Sequence, residues 1–331
     1  MIIQAELQMG LDALAGEIAP GGGRIVDLKR LSGGASQETW SFALDGQGGR
    51  ERLILRRAPK GAKQHENNPG LENEAVLMQL AGAAGVPSPR VRLVLNPGHG
   101  LGAGFIMDHV DGETIGRKIL RDAPFAAVRP KLARRCGELM ARIHTIAVDK
   151  APGLRLADGA IRLADIEARY EASGTRRPVF ELAIQWLRAN LPAPGEPKVV
   201  HGDFRNGNII VGPNDIEAVL DWEIAHLGDP MEDLGWICVT PWRFGEIDNP
   251  VGGFGSRQDL IAGYEAQSGQ KVDPAAVRFW ETLGSLSWGV SCGAIAVDDL
   301  AARDRPLERS MIGRRASENE IDLLRLLTEE A

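Results

Sequence analysis

Four side chains within one short stretch, VVHGDFRNGNIIVGPNDIEAVLDWE (199–223), have the types and spacing to do chemistry: His201, Asp203, Asn208 and Asp221. Asn208 follows Asp203 by five positions, and Asp221 follows Asn208 by thirteen. Between the last two lie the apolar runs NIIV and IEAVL, separated by a turn at Gly212–Asp215, a pattern that predicts a β-hairpin. A turn centred on Asn214 and Asp215 would set positions 208 and 221 opposite each other at the open end. An amide oxygen beside a carboxylate suits Mg²⁺, a hard ion usually held by one or two side chains plus substrate phosphates. Asp203, on the preceding loop, would sit beside the same point and could accept a proton from an attacking hydroxyl. His201 is expected to orient the loop rather than react.

The elements that must position this set fall into two groups. The first is rich in strands. An amphipathic helix over 1–18 ends at the Pro20–Gly23 breakers, and RIVDLKRL (24–31), TWSFALDG (39–46) and ERLILRR (51–57) follow as strands. LENEAVLMQLAGAAG (71–85) reads as a helix, then VRLVLN (91–96) and LGAGFIMDHV (101–110) as two more strands. From Asp111 the chain turns helical, with helices expected over 131–146, 177–190 and 277–297, the last apolar on most sides and therefore buried. The reading is an α+β, bilobal molecule: residues 1–107 as a small lobe of antiparallel sheet with one main helix, 108–112 as a hinge, and 113–331 as a larger helical lobe.

HGDFRNGN followed by LDWE resembles the catalytic loop and metal-binding segment of the aminoglycoside phosphotransferase and choline kinase superfamily, relatives of the protein kinases. IAHLGDPMEDLGW (224–236) continues the likeness. More closely, the chain resembles bacterial phosphotransferases related to the kinase domain of some acyl-CoA dehydrogenases. The resemblance implies a protein-kinase-like fold and transfer of the γ-phosphoryl group of ATP, or GTP, to a substrate hydroxyl with Mg²⁺. Carried over by position, it makes Asp203 the catalytic base, Asn208 and Asp221 the metal ligands, and Arg205 a phosphate-stabilising cation. The loop LSGGASQET would cradle phosphates through backbone at Gly34 and Ser36. Arg56 stands where the superfamily usually has a Lys on its third strand, with Glu74 as its expected partner and Glu72 second. Met107 takes the gatekeeper position, and the main chain of Asp108 and Val110 would meet the nucleobase.

Bulk properties exclude other classes. With 44% hydrophobic and 25% charged residues the chain is an ordinary globular protein, and a net charge of −7 disfavours nucleic acid as partner. Cys136, Cys238 and Cys292 are too far apart for a zinc knuckle or a disulfide framework. No apolar run reaches the length of a membrane span, and the acidic N-terminus lacks a basic leader, so a cytoplasmic location without a membrane partner is expected. The expected substrate is a hydroxylated small molecule, with a hydroxyacyl-CoA-type metabolite implied by the closer resemblance. Asp233 is expected to hold a helix start or the catalytic loop, and most tryptophans to pack in the core. Arg56 in place of Lys and the short glycine loop motivate a rival reading, a non-catalytic nucleotide- or metabolite-binding pseudokinase. A hydrolase built on His201 and Asp203 would need more metal ligands than the sequence offers.

Overall fold

The structure is a computed structural model that describes residues 4–31, 37–59, 68–301 and 307–328. The first region holds helices α1 (Gln4–Ala13) and α2 (Ala15–Ile18), strands β1 (Arg24–Arg30), β2 (Glu38–Gly46) and β3 (Gly49–Arg57), and helix α3 (Leu71–Ala83). Strands β4 (Val91–Val94) and β5 (Gly104–Asp108) complete an antiparallel sheet of order β1-β2-β3-β5-β4. The single helix expected at the start is two, broken at Leu14.

Strand β3 is apolar on both sides because both sides are covered. Leu53 and Leu55 point to the face that α1 closes with Leu7 and Leu11, joined by Trp40, Phe42 and Ile106. Ile54 points to the other face, packing with Phe105, Met107 and the Leu77–Met78 side of α3. Successive residues of a strand alternate between faces, so Arg56 shares the α3 face with Ile54. In the register Arg56 sits opposite Thr39 on β2 and Phe105 on β5.

The remainder is mostly helical: α4 (Gly116–Arg121), α5 (Leu132–Ile143), α6 (Gly159–Ala172) and α7 (Pro178–Ala189), then short strands β6 (Lys198–Val200), β7 (Ile209–Val211), β8 (Ile216–Val219) and β9 (His226–Gly228). Helices α8 (Met231–Trp236), α9 (Arg257–Ser268), α10 (Pro274–Ala301), α11 (Leu307–Arg314) and α12 (Ala316–Thr328) follow. Helices α5 and α9 cross at Gly137 and Gly263, where added methyl groups would lie 2.0 Å from the carbonyl oxygens of Leu260 and Arg134. Only glycine allows backbones that close.

The two regions are stitched together beside the cleft. Glu113 and Val211 exchange backbone hydrogen bonds of 3.0 Å each way, and Val219 N–H donates to Pro87 O at 2.9 Å. Gly112, at φ 144°, lets the chain press onto the β7–β8 hairpin; a methyl group there would meet Ile210 Cγ2 at 2.4 Å. A continuous apolar core runs from α3 beneath the hairpin to α5 and α9, and a second one joins α6, α7, α10 and α12.

Candidate active site

Strand β6 delivers the chain to His201, which is fully buried against Trp222, ring centroids 4.6 Å apart, and against Phe204 at 5.8 Å. Its Nδ1 accepts the Asp203 N–H at 3.2 Å, so Nε2 carries the proton and donates to Leu220 O at 3.0 Å. Neutral His201 therefore orients the loop, as expected. Asp233 anchors the same loop: its carboxylate accepts the N–H groups of His201 and Gly202, each at 2.9 Å, and pairs with His144 Nε2 at 3.0 Å. Burial alone would raise the Asp233 pKa, but the His144 hydrogen bond and charge, with the His201 backbone donor, hold it below the usual carboxylate range.

Asp203 is clamped on both oxygens. Oδ1 accepts from Arg205 Nε and from Trp236 Nε1, both at 2.8 Å, and Oδ2 accepts from Asn208 Nδ2 at 2.6 Å. The same Asn208 nitrogen donates to Asp203 O at 2.9 Å, and the Asn208 side-chain oxygen Oδ1 has no donor among the described residues. The hairpin forms where the sequence places it, but in a register one residue shorter. Ile209 pairs with Val219, Ile210 with Ala218, and Leu220 N–H donates to Asn208 O at 2.8 Å, so Asn208 faces Leu220 and not Asp221. A bulge between Ile210 and Val211 changes the count. Asp221, one residue beyond, takes φ 65°, a left-handed conformation that Asp tolerates better than most residues. It lines the same cleft as Asp203 and Asn208.

Arg56 closes the cleft from above. Its Nη2 lies 2.5 Å from Asp221 Oδ1 and 3.4 Å from Glu223 Oε2, and its Nε lies 3.2 Å from Glu74 Oε1. Glu74 is thus the partner of Arg56, whereas Glu72 is exposed. Burial, augmented by the charges of Asp221 and Glu223, pushes the Glu74 pKa up to about 7 even though Arg56 opposes the shift. The cleft encloses about 600 Å³ and is lined on its apolar side by Leu31, Met78, Phe105, Met107 and Leu220. Asp108 and Val110 do not line it with their side chains; Asp108 N–H donates to Arg90 O at 2.9 Å and its carboxylate pairs with Arg92. Gly34 and Ser36 lie outside the described residues, although Leu31 and Gln37 on either side of their loop line the cleft.

A family profile described as phosphotransferase enzyme family matches residues 27–280, most of the chain and all of the cleft. The chain belongs to that family. It is 28% identical over 231 residues to acyl-CoA dehydrogenase family member 10 of Mus musculus, a match covering 65% of this chain but only 20% of that protein. Among solved structures, a candidate aminoglycoside phosphotransferase from Ralstonia eutropha JMP134 superimposes with a TM-score of 0.76 at 20% identity, covering 98% of this chain and 99% of the other. The aminoglycoside phosphotransferase APH(4)-Ia, solved with AMP-PNP and hygromycin B, gives a TM-score of 0.61 at 16% identity, covering 97% of this chain and 100% of the other. These likenesses show the kinase-like fold.

Around the loop of this family member the structure adds residues that sequence reasoning assigned to the core or passed over. Trp236 donates to Asp203 from 33 positions away, and the Arg205 guanidinium lies over the Trp242 ring at 4.4 Å. Arg205 also donates to Asn206 O at 3.0 Å, so it braces the loop. Glu223 stands two residues after Asp221, in the turn that follows β8, and reaches Arg56 from there. Trp236 had no readable signal, because nothing local links it to Asp203. Among the described residues no helix is long and apolar enough to cross a membrane.

Proposed function

We propose that the protein is a small-molecule kinase that moves the γ-phosphoryl group of ATP onto a substrate hydroxyl by in-line displacement. The observation that carries this reading is the convergence of Asp203, Asn208 and Asp221 on one cleft, under a cation from the sheet. Asp203, fixed by three donors, aligns the acceptor hydroxyl and takes its proton as the bond to phosphorus forms. Arg56 grips the phosphates, and Arg205, held by Asp203 and Trp242, adds positive charge beside the transferred group. Main-chain groups of Asp108 and Val110 meet the base next to Met107, and Gly34 and Ser36 cover the phosphates. Catalysis rests on positioning and charge neutralisation, with no covalent enzyme intermediate.

The residues fit a magnesium ion. Among the described residues the Asn208 side-chain oxygen has no donor, and Asp221 offers a carboxylate, the hard donor set Mg²⁺ takes alongside phosphate oxygens. Asp203, Asp221 and Glu223 line the cleft against the guanidinium groups of Arg56 and Arg205, with Glu74 adding negative charge above about pH 7, so the cleft favours a cation. Bound by Asn208 and Asp221, the ion would offset the phosphate charge.

Residues 1–107, 108–112 and 113–331 then act as nucleotide lobe, hinge and catalytic lobe. ATP is supported by the nucleotide analogue bound to APH(4)-Ia. A hydroxyacyl-CoA-type acceptor is supported by the name of the relative from Mus musculus, of which this chain matches only a part. The rival pseudokinase reading draws on Arg56, whose Nη2 engages Asp221 Oδ1. The deciding experiment follows ADP release from ATP and Mg²⁺ across a panel of hydroxylated metabolites. Acceptor-dependent release that falls at least about a hundredfold in Asp203→Ala supports the kinase. Tight nucleotide binding with no release for any acceptor, or release indifferent to Asp203, overturns it in favour of a binding module.

A further inference from the structure

One face of α10 runs from the proposed catalytic residue to an arginine with no carboxylate of its own. Gly284, Ser287, Trp288 and Ser291 share that face by helical spacing. At its near end Trp236, which donates to Asp203, packs on Gly284, where an added methyl group would lie 3.1 Å from the Trp236 ring. One turn on, Trp288 meets Trp242 with ring centroids 5.1 Å apart, and Trp242 carries Arg205 on its face. At the far end Arg169 of α6 donates to Ser287 Oγ at 3.1 Å and to Ser291 Oγ at 3.4 Å.

The carboxylates near Arg169 are committed elsewhere. Asp165, which acts on Arg169 through its charge, pairs with Arg155 at 3.3 Å, and the neighbouring Arg162 is itself paired with Glu232 at 2.8 Å. Among the described residues the Arg169 guanidinium has no ion-pair partner; the polar groups it meets are the two hydroxyls. The Arg169 side chain is exposed, so the guanidinium held on the two hydroxyls is open to a ligand. A guanidinium without a carboxylate can still take a charge-neutralising oxyanion, and its fork matches carboxylate or phosphate oxygens. The seven residues from Gly284 to Ser291 span roughly 10 Å of helix axis, a distance a small metabolite can bridge.

We propose that Arg169, Ser287 and Ser291 form an acceptor subsite for an anionic group, carboxylate or phosphate, carried by the substrate whose hydroxyl lies at Asp203. The inference rests on the kinase reading for the hydroxyl end, whereas the anion site stands on its own geometry. It makes the acceptor an anionic hydroxylated metabolite, held along an indole-lined face by its charged end. A polycation would meet an arginine where it needs a carboxylate.

The test uses the full chain saturated with Mg²⁺ and AMP-PNP, so that added anions cannot occupy the nucleotide site. Inorganic phosphate and acetate are titrated separately while the Arg169 Nε–H resonance is followed by NMR. Saturable movement by either anion is expected, and the anion that binds more tightly identifies the group. Arg169→Gln should weaken binding, read by calorimetry, about tenfold or more. Ser287→Ala with Ser291→Ala should weaken it while leaving the charge in place, which guards against a misfolded arginine variant. No saturable shift with either anion, or unchanged binding in both variants, overturns the subsite. ADP release from an anionic acceptor that is indifferent to Arg169→Gln also overturns it while the kinase reading stands. Saturable anion binding at Arg169 with no acceptor-dependent ADP release removes the kinase reading and leaves the anion site.

Discussion

At the scale of single residues, the Asp203 carboxylate has no freedom left. Three donors from Arg205, Asn208 and Trp236 fix its plane before any substrate arrives, which is the pre-organisation that positioning catalysis requires. Glu74 is the opposite case, a carboxylate buried where its charge is costly and held by Arg56 at 3.2 Å. Its pKa is about 7 in the fold, against an ordinary value of 4.5. Between those values the folded protein binds more protons than the unfolded chain, so stability from this group is present below pH 4.5 and lost as pH rises to about 7. The loss amounts to ~3 kcal/mol at most. Thermal unfolding from pH 4.5 to 7.5 should therefore show a falling contribution that Glu74→Gln removes. Wild type and Glu74→Gln with parallel pH profiles would contradict the assignment.

At the scale of elements, what could be read in advance was what neighbouring residues decide. The turn at Gly212–Asp215, the flanking apolar runs and the spacing from Asp203 to Asp221 are local, and they led to the hairpin and to the three side chains around its open end. The register differs because the turn closes one residue earlier, on Pro213 and Asn214, with Gly212 N–H donating to Asp215 O at 2.9 Å; the bulge at Ile210 and Val211, which no residue type announces, then recovers half of that two-residue offset. Arg56 and Glu74 were legible as a pair through the family resemblance, with strand periodicity placing only Arg56 on its face beside Ile54. Helices α6 and α9 went unplaced even though both carry start signals: Asp158 accepts from Ile161 N–H at 2.9 Å, and Ser256 from Asp259 N–H at 3.1 Å. Trp236 was illegible because its partner is brought to it only by packing. The α5–α9 crossing makes a prediction at this scale. Gly137→Ala drives a methyl group onto Leu260 O and should cost about 1–3 kcal/mol or more, visible as a lowered melting temperature. An unchanged melting temperature would mean the helices can part without penalty.

At the scale of the whole molecule, the cleft exists because the sheet is pinned to the hairpin along one edge, while a shared core continues from α3 to α5 and α9. The Glu113–Val211 and Val219–Pro87 hydrogen bonds and the Gly112 contact join the sheet to the hairpin, bringing Arg56 over residues that follow it by about 150 positions or more. A ligand spanning both sides should stabilise the entire fold through linkage. In the proposed kinase each side would supply half of a nucleotide–metal site, with Asn208 and Asp221 sharing one divalent ion there. Titration of Mn²⁺ in the presence of AMP-PNP, followed by electron paramagnetic resonance, measures this directly. One tightly bound ion is predicted in the wild-type protein, weakened about tenfold or more by Asn208→Ala and lost in Asp221→Asn. Wild-type affinity retained in Asp221→Asn would contradict the assignment.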